Sequence, residues 1–313
     1  MNGVLIVDKP AGWTSHDVVN RLRRILGQRS VGHLGTLDPL ATGVLPLVVG
    51  NLTRLAQFYT TSEKAYEGAI RFGFATDTYD AEGEPSPPAQ SVDLSLDQVR
   101  QLAAGFVGEI DQMPPPFSAK KLHGVPAYKL ARQRKEVAVQ PVKVKVEEFE
   151  ILGVEGPLAH FQARVSSGTY MRSIAHDMGQ RLGCGAHLQS LRRTAVAEFT
   201  IAEAHTIEEI EAGAGKARVA VGASARDVYS SRNQSSDLET LFVHSRRLLP
   251  QLPSVTADEA TAARIRAGRT VNLPELSRAR QVKVFYGQTE LIAIATRVAG
   301  TLFHPKLVFV CGD

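Results

Sequence analysis

Three stretches of this chain change side-chain character at every second residue, and two others repeat at helical spacing. That mixture restricts the fold more than any single residue does. Tyr66, Gly68, Ile70, Phe72 and Phe74 alternate with Glu67, Ala69, Arg71 and Gly73, the period of a strand with one face in a core. Val142, Val144 and Val146 alternate with Lys143 and Lys145, and Phe161, Ala163 and Val165 repeat the pattern. Residues 4–7 and 44–49 are short continuous apolar runs, as expected of strands covered on both faces. Val18, Val19, Leu22, Ile25 and Leu26, and later Met171, Ile174, Ala175, Met178 and Leu182, fall at helical spacing. Gly27 and Gly183 follow them as stops. Strands and helices interleave, so the expected class is α/β (α+β).

The 313 residues suggest two domains, or one large domain with an appendage. Residues 82–90 are rich in Pro, Gly and acids and read as a loop, and Ser95 with Gln98 predicts a helix start. From residue 213 to 252 the pattern weakens, which predicts a connection. Beyond it, TADE at 256–259 predicts a capping box opening a helix that ends near Gly268. Short strands are expected at 281–286, 291–297 and 306–310, making a small β-rich module. The start of the chain carries no basic leader before its apolar run, and no stretch is long and apolar enough to span a bilayer. Cys184 and Cys311 form no CxxC pair and read as reduced thiols. These features predict a cytoplasmic protein with no membrane partner.

A net charge of +4 is modest but unevenly spread. Between residues 114 and 146 eight Lys or Arg face one acid, Glu136; from 76 to 97 there are six acids and no base. A basic segment of that density is either a solvated face or a footprint for a polyanion. Asp38 lies in GHLGTLDPLATGVLP, before a proline that keeps its backbone out of the helical region. Gly32, Gly35 and Gly43 around it allow tight turns and a close ligand. By itself Asp38 could be a turn former, a cap, a metal ligand or a catalytic group.

Five blocks in fixed order go further: KPAGWTSHDVVNRLRR, GHLGTLDPLATGVLPLVVG, YEGAIRFGFATDTYDAEGE, PPPFSAKKLHGVPAYKLAR and SSGTYMRSIAHDMGQRLGCGAHLQSLRRT. Together they resemble the TruB family of bacterial tRNA pseudouridine-55 synthases, densely over residues 1–212. From 253 to 313 the chain more weakly resembles the PUA module such enzymes carry. The resemblance implies a pseudouridine synthase fold with a mixed, mainly antiparallel central sheet flanked by helices, plus the small PUA-like domain. It implies isomerisation of the uridine in the TΨC loop of tRNA by base flipping, with no metal or other cofactor; the chain is expected to act as a monomer.

Matched residue by residue, Asp38 is the essential carboxylate and Arg172 its partner, while Tyr66 stacks on the displaced uracil and helps remove the C5 proton. Leu191 lines the base pocket, His33 enters the RNA loop in place of flipped nucleotides, and Lys9 supports the catalytic loop. Lys120, Lys121, Lys129 and Arg132 belong to a basic insertion, residues 114–146, expected to grip phosphates of the TΨC arm. The terminal module, with Arg264, Arg266 and Arg269, is expected at the acceptor stem. Arg134-Lys135, Arg54 and the stretch at 230–237 depart from the family pattern. Two other readings stay open: a tRNA-binding or RNA-folding protein in which catalysis is secondary, and a metal-dependent hydrolase using His176, Asp177, Cys184 and His187.

Overall fold

The computed structural model describes residues 1–86, 89–116, 121–122, 125–126, 140–221 and 237–309. In chain order the elements are β1 (Gly3–Lys9), α1 (Ser15–Leu26), β2 (Val31–His33), β3 (Thr42–Val49), β4 (Lys64–Phe72), β5 (Ala75–Thr76) and β6 (Pro85–Ser86). Next come α2 (Leu96–Ala104), β7 (Gly108–Gln112), β8 (Lys121–Leu122), β9 (Val125–Pro126), β10 (Val142–Glu155), β11 (Leu158–Val165) and α3 (Met171–Leu182). They continue with β12 (Ala186–Val196), β13 (Phe199–Thr200), α4 (Ile207–Val221), α5 (Asp237–Thr240), β14 (Ser254–Ala257) and α6 (Glu259–Arg266). The last are β15 (Val271–Asn272), β16 (Gln281–Tyr286), β17 (Glu290–Ala299) and β18 (Leu302–Val308).

A nine-stranded sheet runs β1–β3–β12–β4–β11–β10–β7, with β2 added to β3 and β13 to β12. Every pairing is antiparallel except β12 with β3. The sheet is therefore mixed and mainly antiparallel, as expected. The continuous apolar runs have a simple cause. Val7, Leu45, Leu47 and Val49 face the main core with helix residues Val18, Val19 and Leu22. Val4, Ile6, Val44 and Val48 face the opposite way, against Leu248, Leu249, Phe285, Ile294 and Leu307. Strands β1 and β3 are covered on both sides, so neither has a wet face for polar side chains to occupy.

The helix ends follow their signals. Thr14 and Asp17 form a reciprocal capping box on α1, and Gly27 ends it in the left-handed region. Ser95 caps α2, and Gly183 ends α3. One expected cap moves. Asp258, not Thr256, accepts from Thr261 N, because Ser254–Ala257 is a strand paired in parallel with Lys283–Tyr286.

The terminal module is a five-stranded sheet ordered β14–β16–β17–β18–β15, packed with α6. The expected connection, residues 213–252, holds regular structure on both described sides. Residues 207–221 are helical, and Leu248 and Leu249 are buried between the two sheets. Lys283 is 2 % exposed and donates to the carbonyls of Arg246 (2.9 Å) and Leu248 (2.7 Å). Arg54 donates to Val308 O across the same junction.

The parallel contact of β12 with β3 sets Arg193 against Gly43. Gly43 has φ +96°, and a Cβ there would lie 2.2 Å from Arg193 O. Gly43→Ala is expected to cost on the order of 2–4 kcal/mol, from a forbidden backbone angle and a backbone clash. Urea unfolding of the two proteins checks it.

Candidate active site

The loop between β2 and β3 carries Asp38, and buried donors hold it from three sides. Lys9, fully buried at the end of β1, donates from Nζ to Pro10 O (2.8 Å), Trp13 O (2.6 Å) and Pro39 O (3.2 Å). Ser15, on α1, donates to Leu37 O and accepts from Leu37 N at 2.8 Å. Arg193, also fully buried, donates to Val44 O (2.8 Å), Gly35 O (3.0 Å) and Thr36 O (3.2 Å). Gly35 turns the chain at φ +118°. Buried charges persist only when their hydrogen bonds are filled. Lys9 fills its bonds with two carbonyls of the β1–α1 turn and Pro39 O of the Asp38 loop, and Arg193 with Gly35 O and Thr36 O of that loop and Val44 O of β3, so both ends of the loop are tied before any ligand arrives.

Arg172, in the first turn of α3, reaches this loop. Its Nε lies 2.9 Å from Asp38 Oδ2, and its Nη1 lies 3.4 Å from Asp80 Oδ2 and donates to Thr78 O at 3.1 Å. The guanidinium is 6 % exposed, whereas the Asp38 side chain keeps 38 % of its surface. The pair is closed behind the arginine and open beyond the carboxylate. Asp80 is 4 % exposed and accepts from Thr78 Oγ1 (2.6 Å) and Glu82 N (3.1 Å). Two carboxylates thus share one guanidinium.

Burial pushes the Asp38 carboxyl above the usual carboxylate range; Arg172 opposes this, and Asp80 adds to it. Arg172 therefore limits the rise rather than reversing it. Burial also lowers Lys9 to about 8, against the raising effect of Glu82 and Asp38. Tyr66, on β4, is 7 % exposed, and burial holds its phenol above the ordinary value while Arg193, by its charge and a hydrogen bond, pulls the other way. Arg193 thus ties Tyr66 to the Asp38 loop.

The other expected residues divide. His33 ends β2, with Nδ1 buried and without a hydrogen-bond partner among the described residues; burial and the Arg193 charge lower its pKa. Leu191, on β12, lines a recess of about 480 Å³ with Leu40, Thr42 and Gly68; Asp38, Tyr66 and Arg172 do not line this recess. Lys121 lies in β8, a two-residue strand paired with β9. Lys120, Lys129 and Arg132 of the basic insertion lie outside the described residues, as do Arg134-Lys135 and Cys311.

Asp80, Thr78 and Arg193 carry no local signal in the sequence for the places they hold here. The metal-hydrolase reading fails on geometry. Among the described residues no group of three or more His, Cys, Asp or Glu could hold a metal ion. His187 Nδ1 lies 3.1 Å from Phe74 O, and His176 stacks on Tyr79.

Residues 23–171 match the N-terminal domain of TruB family pseudouridylate synthases, and residues 172–221 match the C-terminal domain of tRNA pseudouridylate synthase B. The tRNA pseudouridine synthase B of Solibacter usitatus (strain Ellin6076) is 49% identical over 311 residues, covering 98% of this chain and 100% of the relative. That of Opitutus terrae is 48% identical over 217 residues, covering 68% of this chain and 88% of the relative. Among solved structures, a chain of a Cbf5–Nop10–Gar1 complex superposes with a TM-score of 0.68 at 25% identity, over 98% of this chain and 85% of that one.

The family models and the full-length relatives identify the protein built on this nine-stranded sheet as a pseudouridine synthase, an isomerase acting on tRNA. The chain belongs to the TruB family of pseudouridylate synthases.

Proposed function

We propose that this protein converts the uridine of the tRNA TΨC loop to pseudouridine, with Asp38 as the essential carboxylate. The observation that carries the proposal is the Arg172–Asp38 contact at 2.9 Å, closed on the arginine side and open on the other. Residues from separate sequence blocks meet there, and full-length relatives carry the name tRNA pseudouridine synthase B.

The target uridine must leave its stack to reach a recessed carboxylate, at a cost of a few kcal/mol that contacts with the protein offset. Asp38 then acts at the ribose, by adding to the nucleoside or by taking a sugar proton, and uracil detaches, turns and rejoins through C5. Arg172 keeps the carboxylate aimed and favours its ionised form against burial. Tyr66 offers its ring to the loose base. Burial keeps its phenol protonated, so stacking is its first role and help with the C5 proton its second. Leu191 supplies an apolar wall.

His33, neutral because of burial and the Arg193 charge, fills the vacated stack as a flat ring rather than as a phosphate contact. Lys120, Lys121, Lys129 and Arg132 contact phosphates, which sets affinity and salt dependence rather than site choice. The terminal module extends the RNA surface toward the acceptor stem. The enzyme acts as a monomer in the cytoplasm; no described helix is long and apolar enough to cross a membrane.

Mapping pseudouridine in unmodified tRNA transcripts incubated with the purified chain tests the proposal. The expected product is a single pseudouridine, in the TΨC loop. Tight binding with no pseudouridine would favour the RNA-folding reading instead.

A further inference from the structure

The turn that supplies the second and third acceptors for Arg172 contains an unusual residue. Tyr79 sits between Thr78 and Asp80 with φ +66°, a left-handed conformation uncommon for a bulky side chain. Backbone bonds pin the turn. Tyr79 N donates to Thr76 O (3.3 Å), Leu188 N donates to Tyr79 O (2.9 Å), and Ala81 N donates to Leu188 O (3.0 Å). Thr76 Oγ1 adds a bond to Asp80 O at 2.7 Å. None of these reaches the helix that carries Arg172.

The ring of Tyr79 does. It stacks on His176 with centroids 3.7 Å apart and planes 13° from parallel. His176 lies four residues after Arg172 in α3, on the same side of the helix. Its Nδ1 is buried with no hydrogen-bond partner among the described residues. Burial lowers the imidazole pKa while Asp177 raises it. The face of a neutral ring, rather than a polar bond, is therefore what His176 gives to the turn.

We propose that the Tyr79–His176 stack is a positioning pair: it locks the turn bearing Thr78 O and Asp80 onto the helix bearing Arg172. It thereby holds the guanidinium at the distance Asp38 requires. The proposal rests on the reading of Asp38 and Arg172 as the reacting pair. The carboxylate, the guanidinium and the two acceptors form one chain of contacts. A turn free to shift by a fraction of an ångström would let the guanidinium follow Asp80 away from Asp38. Neither ring is assigned any contact with RNA.

The test is the single-turnover rate on tRNA, with enzyme in excess, beside the Kd for the same tRNA. Tyr79→Gly is the informative variant, because glycine accepts the left-handed angle without strain while removing the ring. Tyr79→Gly and His176→Ala are each expected to slow the bound reaction about three- to tenfold, the worth of one aromatic contact. The Kd should stay within about twofold, and the double variant should be no slower than either single one. Tyr79→Phe, which keeps the ring, is expected to restore the rate.

A Tyr79→Gly enzyme at the wild-type rate would overturn the inference, as would a Tyr79→Phe enzyme as slow as Tyr79→Gly. A weakened Kd with an unchanged bound rate would also overturn it, by making Tyr79 an RNA contact. If the wild-type chain forms no pseudouridine at all, the proposed function fails, and the positioning role of the stack falls with it.

Discussion

Asp38→Asn is expected to abolish pseudouridine formation while leaving tRNA affinity within about threefold of wild type. The amide keeps the shape of the carboxylate and still sets an oxygen against Arg172 Nε, as the carboxylate does at 2.9 Å. It can neither bond covalently to the sugar as an oxyanion nor take its proton, so the loss should be about 10⁴-fold or more. Stability should not fall with activity. A group whose folded-state pKa lies above its unfolded value weakens the folded protein at neutral pH, where it is ionised. Burial raises Asp38 in this way, so its removal is expected to leave the melting temperature unchanged or slightly higher. Single-turnover assays, filter binding and a thermal melt on one preparation check all three. Residual turnover near the wild-type rate would remove Asp38 from the mechanism.

Arg172→Lys should be almost as damaging, although the charge is kept. The guanidinium reaches Asp38 with Nε and both Asp80 and Thr78 O with Nη1. An ammonium is a single point on a flexible stem and cannot hold that fork. Asp80, 4 % exposed, is the stronger claimant for the lysine, because leaving a buried charge unpaired costs about 3–5 kcal/mol. Asp38 then loses its orientation and the partner that limits its pKa. The expected result is a bound rate lower by about 10²- to 10³-fold with near-normal affinity. An Arg172→Lys enzyme within about threefold of the wild-type rate would show that charge alone is enough.

Much of this was legible in the residues, for physical reasons. The alternation at 66–74, 142–146 and 161–165 marks strands because each has one face in the core, and the runs at 4–7 and 44–49 are continuous because the terminal module covers their second face. Asp38, Tyr66 and Arg172 stand in the ordered blocks; the structure pairs Arg172 with Asp38 directly and links Tyr66 to their loop only through Arg193. Asp80 was not found. Six acids between residues 76 and 97 read as a solvated loop, and nothing local says that one of them turns inward. What separates Asp80 from its neighbours is the Tyr79 turn and an ion pair with Arg172, a residue on a distant helix.

Arg193 was hidden differently. In LRRT the two arginines look alike, yet strand alternation sends Arg192 to Asp8 at the surface and Arg193 into the core beneath the Asp38 loop. Only the pairing of β12 with β3 tells them apart. The TADE signal failed for a related reason, since tertiary pairing claimed Thr256 for a strand.

The most direct test of the whole account is the single-turnover rate on saturating tRNA as a function of pH. One ionised carboxylate must act, and burial has raised its pKa above the ordinary 3.8. The rate should therefore rise with pH along a limb of unit slope whose midpoint lies above the ordinary aspartate range, and then reach a plateau. Bound RNA excludes more water and moves the midpoint the same way. A rate that stays flat down through that range, or that falls as Asp38 becomes ionised, would contradict the account.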